Sequence, residues 1–168
     1  TFFTNPALTA AYEKVKSGAN ALHLMGLVSD GGVHSQLTHL TALLELAKRK
    51  GIDKLFIHAI LDGRDTAPDS GIEYVRQLQT QIRRIGAGTI ASICGRYYAM
   101  DRDTRWERTQ MAYRLYTQAQ GITAQDPVAA IEASYQRGET DGFVKPIVLS
   151  TPNDGPVTRI GNGDAVLF

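Results

Sequence analysis

Thr89-Ile90-Ala91-Ser92-Ile93-Cys94, followed at once by Gly95-Arg96-Tyr97-Tyr98-Ala99-Met100-Asp101-Arg102-Asp103-Thr104-Arg105-Trp106-Glu107-Arg108, is the stretch on which the reading of the fold turns. The first six residues are a short apolar run that reads as a buried strand. The segment after them is crowded with arginine, aspartate and aromatic rings, and it runs into a helical pattern. Arginine presents a planar fork of donors that takes a carboxylate or a phosphate through two bonds. Several such forks at the end of one strand suggest a pocket for a small anion.

Working outward, the same unit of buried strand, polar loop and amphipathic helix occurs twice more on the N-terminal side. Residues 21–28 form an apolar run that feeds Ser29-Asp30-Gly31-Gly32-Val33-His34-Ser35. Leu37, Leu40, Leu43, Leu44 and Ala47 then recur at helical spacing, Lys48-Arg49-Lys50 suits the negative end of that helix, and Gly51 stops it. Residues 55–61 form the second run and feed Asp62-Gly63-Arg64-Asp65-Thr66 and the rest of a loop to Ser70. Ile72, Val75, Leu78, Ile82 and Ile85 mark the helix behind it, closed by Gly86. At the N-terminus, Asn5-Pro6 pairs a cap with a first-turn proline, and the helix it opens is expected to end at Ser17-Gly18.

On the C-terminal side, Trp106, Tyr113 and Tyr116 fall on one helical face. Asp126-Pro127 repeats the cap signal ahead of a stripe of Val128, Ile131 and Tyr135. Residues 143–149 read as a further strand, near an edge or irregularity because of Pro146. Residues 156–160 and 165–168 flank Gly161-Asn162-Gly163-Asp164 and read as a hairpin. Strands alternating with helices predict a three-layer α/β/α sandwich with a mainly parallel sheet and a C-terminal antiparallel hairpin. In such sheets ligands bind beyond the carboxyl ends of the strands, where all three polar loops can meet.

Composition bounds the partners. The chain has 168 residues, 43% apolar and 21% charged, with a formal charge of +1. That balance argues against a general nucleic-acid or membrane-surface binder, which needs a basic excess. The single cysteine, Cys94, excludes an internal disulfide and fits a reducing compartment. A cytoplasmic location is expected. No apolar run reaches the length of a membrane span, and no signal peptide is visible. The start at Thr1-Phe2-Phe3 and the apolar end at residues 165–168 suggest a piece of a longer protein.

Read as chemistry, the first loop offers a glycine pair that can cradle a phosphate and His34, which can donate to an anion or move a proton. The glycine pair reads equally as a tight turn. In the second loop, Arg64 can hold an anion, Asp65 can accept from a substrate hydroxyl or act as a base, and Asp62 braces the turn. In the third, Arg96 and Arg102 can point into one space, whereas Arg105 and Arg108 belong to the helix and pair with Glu107 or nearby aspartates. Tyr97, Tyr98 and Trp106 read as packing. His23, His39 and His58 read as structural, and Ser29 and Ser35 as turn or cap residues. No metal-ligand spacing and no G-x-S-x-G setting are present. These residues alone give a pocket for a small anion bearing a hydroxyl, without a complete catalytic apparatus.

Taken together, the three loops closely resemble those of the cofactor-independent (2,3-bisphosphoglycerate-independent) phosphoglycerate mutases. The likeness extends to Leu24-Met25-Gly26-Leu27 and Ile131-Glu132-Ala133-Ser134-Tyr135, and so covers essentially the whole chain. The resemblance is to the inserted substrate-binding, or phosphotransfer, domain of a two-domain glycolytic enzyme, with residues 1–168 forming that domain. It implies interconversion of 3-phosphoglycerate and 2-phosphoglycerate, with two manganese ions and a phosphoryl-accepting serine on a phosphatase-like domain of the same chain. It implies His34, Arg64, Asp65, Arg96 and Arg102 as the substrate-binding residues. Arg96 and Arg102 would take the carboxylate, and Asp65, assisted by His34, would transfer a proton. Gln36 stands where histidine is expected. Further substrate-binding arginines, the metal ligands, the serine and a catalytic lysine are absent, so the 168 residues alone are expected to have no mutase activity. Two other readings share the pocket: a non-catalytic module for a phosphorylated or carboxylated metabolite, and an interaction domain whose arginines meet an acidic surface.

Overall fold

Side chains of alternating direction along three buried strands decide how the layers stack. The computed structural model of the chain describes residues 2–16, 18–153 and 155–168. In chain order its elements are α1 (Pro6–Val15), β1 (Leu22–Leu27), α2 (Leu37–Lys50), β2 (Leu55–Leu61), α3 (Gly71–Ile85) and β3 (Thr89–Gly95). The one-turn helix α4 (Arg96–Ala99) follows, then α5 (Trp106–Gln118), β4 (Ile122–Ala124), α6 (Pro127–Gln136), β5 (Ile147–Leu149) and β6 (Ala165–Leu167). Single 3-10 turns lie at Phe2–Thr4 and Asp141–Phe143. The six strands form one sheet in the order β4-β5-β3-β2-β1-β6, parallel throughout except for the antiparallel β3–β5 pair.

Leu22, Leu24, Leu55, Ile57, Leu61, Ile93, Ile147 and Leu149 turn to one face of the sheet. There they pack with Tyr12, Leu44, Val75, Leu78 and Ile131 of the helices α1, α2, α3 and α6. Met25, Cys94 and Val148 turn to the other face and meet Ala112, Leu115 and Tyr116 of α5. The period-2 alternation thus builds the three-layer sandwich. Helix ends follow local chemistry. Asn5 Oδ1 accepts from the Ala7 and Leu8 amides and Asp126 Oδ1 from the Ala129 amide, while Gly51 and Gly86 end α2 and α3 in the left-handed region. Ser17, expected at the end of α1, and Thr1 lie outside the described residues.

The C-terminal hairpin does not form, and the antiparallel pairing lies between β3 and β5 instead. Asp164 decides this. Its Oδ1 accepts from the Ala21 amide at 2.8 Å and its Oδ2 from the Gly161 amide at 2.8 Å. The turn is thereby tied to the start of β1, and Ala165 enters parallel register opposite Leu22. Residues 156–160 instead cross the sheet, with the Val157 amide on the Leu149 carbonyl and the Ile160 amide on Tyr116. Two further expectations shift. Residues 141–143 form a 3-10 turn, so the strand starts only at Ile147. Trp106 is 71% exposed, and the buried stripe of α5 is Ala112, Leu115 and Tyr116.

His23 and His58 are structural, and they form a directed chain. His23 Nε2 lies 3.2 Å from Asp164 Oδ2, His23 Nδ1 lies 2.9 Å from His58 Nε2, and His58 Nδ1 lies 2.7 Å from Ser92 Oγ. A carboxylate only accepts, so His23 Nε2–H donates to Asp164. His58 Nε2–H then donates to His23 Nδ1, and the Ser92 hydroxyl donates to His58. An added proton reverses the direction of the chain, with Ser92 accepting in place of donating, and leaves a charge buried beneath the sheet face, which is what opposes it. Burial, helped by His23, pushes His58 down to about 3, and burial lowers His23 against the pull of Asp164. The unfolded chain therefore binds more protons below pH 6.5. Stability present above that value is expected to fall as pH drops towards 3, by about 1.4 kcal/mol per pH unit for His58, with a further loss in the same direction from His23. Urea unfolding at pH 7, 6 and 5 measures the slope; a flat profile would mean that these rings are not neutral and sealed.

Candidate functional site

Parallel pairing of β1, β2 and β3 brings their carboxyl ends to one edge of the sheet, and the three polar loops gather there. They surround a cavity of about 350 Å³ whose lining includes His34, Arg64, Arg96 and Arg102. Asp65 is not among the lining residues; it is joined to the cavity through Arg96, which donates to it. Residues from three separate loops thus share one space.

Asp62 is the hub. Only 2% of it is exposed. Its Oδ1 accepts from the Arg64 amide at 3.2 Å, the Asp65 amide at 3.0 Å and Arg96 Nη1 at 2.6 Å. Its Oδ2 accepts from Ser29 Oγ at 2.8 Å, so Ser29 ties the first loop to the second. Burial acts to raise the Asp62 carboxyl, but these bonds outweigh it and hold the group below the usual carboxylate range.

Arg96 Nη1 also donates to Asp65 Oδ2 at 2.7 Å. Burial opposes its charge, and the bonds to Asp65 and Asp62 more than restore it. The guanidinium is therefore a brace between two carboxylates, with its remaining N–H groups unpaired among the described residues. Asp65 Oδ1 likewise has no protein donor among them. His34 Nε2 stands 3.9 Å from Asp65 Oδ2, beyond hydrogen-bond range, on a side chain half exposed. The side chains of Arg64 and Arg102 have no ion-pair or hydrogen-bond partner among the described residues, and both line the cavity. Four arginines border the space: two are neutralised by aspartates and two are free for an anionic ligand.

The glycine pair works differently from a phosphate cradle. Neither Gly31 nor Gly32 lines the cavity. A Cβ on Gly31 would lie 2.9 Å from Asp65 Cβ, so its bareness lets the first loop pack against the second. Ser35 Oγ donates to the Leu27 carbonyl, and Gln36 Nε2 reaches the Asp30 carbonyl at 3.4 Å. Both brace the loop, and Tyr74 donates to Asp30 from α3. His39 is exposed, stacked near Phe2.

The wall formed by Gly142 and Phe143, and the place of Tyr97 and Arg108 in the lining, escaped the sequence reading. The wall comes from a turn remote in sequence. Arg108 pairs with Asp101 and Asp103 as expected, but the helical pairing conceals that it also faces the cavity.

Among the described residues no group of three or more histidine, cysteine, aspartate or glutamate side chains could hold a metal ion. Asp62 and Asp65 are already engaged by Arg96, so the donor set does not suit a cation. No described helix is long and apolar enough to cross a membrane.

A model of the family described as "BPG-independent PGAM N-terminus" matches residues 1–168. Among curated proteins, the 2,3-bisphosphoglycerate-independent phosphoglycerate mutase of Clostridium perfringens (strain SM101 / Type A) is 53% identical over 100% of this chain and 33% of its own length. That of Moorella thermoacetica is 52% identical with the same coverage. The chain thus spans about a third of the length of these relatives. Among solved structures, a Leishmania mexicana phosphoglycerate mutase, described at low cobalt concentration, superposes with a TM-score of 0.93 at 27% identity, covering 98% of this chain and 32% of that one. With a family model spanning every residue and half of all positions identical to named relatives, the chain belongs to the 2,3-bisphosphoglycerate-independent phosphoglycerate mutase family.

Proposed function

We propose that residues 1–168 are the substrate-binding domain of a longer phosphoglycerate mutase that interconverts 3-phosphoglycerate and 2-phosphoglycerate. The observation that carries this reading is the convergence of His34, Arg64, Arg96 and Arg102 on one cavity, with Asp65 bonded to Arg96, in a chain of this family. The free forks of Arg64 and Arg102 take the anionic ends of the substrate, Arg102 with the spare N–H groups of Arg96 on the carboxylate. Asp65 Oδ1 accepts from a glycerate hydroxyl, and Arg96 keeps that carboxylate aimed. His34 closes its gap to Asp65 when ligand fills the space and assists the proton. The reading leaves two manganese ions and the phosphoryl-accepting serine to another domain of the full-length protein. This chain's share is to bind, orient and reorient the glycerate.

Titration of the 168-residue chain with 3-phosphoglycerate, followed by NMR, tests it. Amide signals of His34, Arg64, Asp65, Arg96 and Arg102 are expected to move together. Hydrogen bonds to charged groups contribute about 1.5–3 kcal/mol, so Arg102→Ala is expected to weaken binding by roughly 10-fold or more. Signals that shift on another face, or an affinity indifferent to Arg102, would overturn the proposal.

A further inference from the structure

Arg108 lines the cavity, yet protein groups hold it. Its Cζ sits 3.8 Å over the Tyr97 ring. Its Nη1 donates to Asp101 Oδ1 at 3.0 Å and to Asp103 Oδ2 at 3.3 Å. The second oxygen of Asp101 accepts from the Arg105 amide at 2.8 Å, and the Asp101 side chain is 3% exposed. Tyr97 leans in turn on Phe143, with ring centroids 5.0 Å apart. Thr104 has φ 59°, a left-handed conformation that a β-branched residue adopts when its surroundings impose it.

These contacts close a ring around one residue. Asp101, Asp103 and Arg105 are each tied to Arg108 or to its carboxylate partner. Arg102 lies between them with a side chain that has no partner among the described residues and faces the cavity. A flexible loop would present that guanidinium in many directions and would have to be ordered by each ligand that arrives. Here the ordering is built in.

We infer that Arg108 is a positioning residue that, stacked on Tyr97 and bound to Asp101, fixes the 101–105 loop so that Arg102 meets the substrate anion. The inference rests on the proposed reading of Arg102 as a substrate ligand. Both carboxylate bonds leave from Nη1 while Cζ stays over the Tyr97 ring; a lysine keeps the charge but, with one compact ammonium, cannot hold both carboxylates and cover the ring at the same time.

The test is a double-mutant cycle on KM for 3-phosphoglycerate in the full-length protein, with kcat recorded. Arg108→Lys is expected to raise KM about tenfold, with kcat within about threefold, the size of one lost charge-assisted bond. In an Arg102→Ala background the same substitution is expected to change KM less than about twofold, because its effect runs through Arg102. Asp101→Asn, which removes charge and keeps shape, is expected to follow the same non-additive pattern and replaces Arg108→Lys if that variant does not fold. Equal effects in both backgrounds, or no effect of either variant alone, overturn the inference while leaving the substrate site intact. An Arg102→Ala variant with unchanged KM overturns the role of Arg102 and this inference with it.

Discussion

Asp62→Ala is expected to cost about 3–5 kcal/mol of folding stability, the cost of removing one partner from a buried ion pair. The carboxylate is the acceptor for two loop amides, one hydroxyl and one guanidinium. Alanine removes all of these acceptors at once. It leaves Arg96, with a side chain 12% exposed, beside Asp65 alone. Domains of this size are stable by about 5–15 kcal/mol, so the loss is a large share of the total. Urea unfolding should show a lower midpoint with an unchanged slope. Asp62→Asn keeps an oxygen for the two loop amides but not the charge, and should fall between alanine and the native residue. Because bonding holds the Asp62 carboxyl low, its contribution is present above the ordinary carboxylate pKa and is lost as pH falls through the folded value. A midpoint for Asp62→Ala within error of the unsubstituted protein would show that Arg96 and the two loops stand without this hub.

The strand-loop-helix units around β1, β2 and β3 were legible because burial on both faces makes their strands continuous apolar runs, and the helices behind them carry clear stripes. Their polar loops follow directly, so parallel pairing alone brings His34, Arg64 and Arg102 together. Elements with little local signal were not legible. β4 is three residues long and mostly exposed, and it lies at the sheet edge beside β5, with Ala124 against the core. The Gly-Asn-Gly-Asp turn carries a hairpin signal, but a carboxylate can bond the start of a distant strand, and Asp164 does so. Trp106 shares helical spacing with Tyr113 and Tyr116, yet spacing does not say which face of α5 meets the sheet. At the site, the free arginines were recognisable as unexplained charge. The braced role of Arg96 was not, because it depends on Asp62 and Asp65 arriving from another strand end.

Gly95→Ala is expected to cost about 3 kcal/mol, at the upper end for one added carbon in a packed region, and to loosen the ligand cavity at the same time. Gly95 ends β3 in an ordinary extended conformation, φ −72° and ψ 152°, so no backbone strain is involved. The reason for glycine is close approach. A Cβ there would lie 2.6 Å from the Asp141 carbonyl oxygen and closer still to the carbonyl of Gly142. Both obstacles are backbone, which cannot rotate aside. The same turn presses on Gly63 and Gly71, where added Cβ atoms would meet the Asp141 side chain at 2.9 and 2.6 Å. It is also pinned by the Gly71 amide on Asp141 Oδ2 at 2.7 Å and by the Tyr135 hydroxyl. Pushed from Gly95, the turn therefore has little room to retreat. What moves carries Gly142 and Phe143, one wall of the cavity, and Phe143 supports the Tyr97 ring under Arg108. Arg96 follows Gly95 directly, so its reach to Asp62 and Asp65 shifts as well. The expected result is a lower thermal midpoint together with weaker binding of the proposed ligand, 3-phosphoglycerate. If Gly95→Ala melted with the unsubstituted protein and bound equally well, the wall would be free to yield, and the tight packing of Asp141-Gly142 against the strand ends could not be what shapes the site.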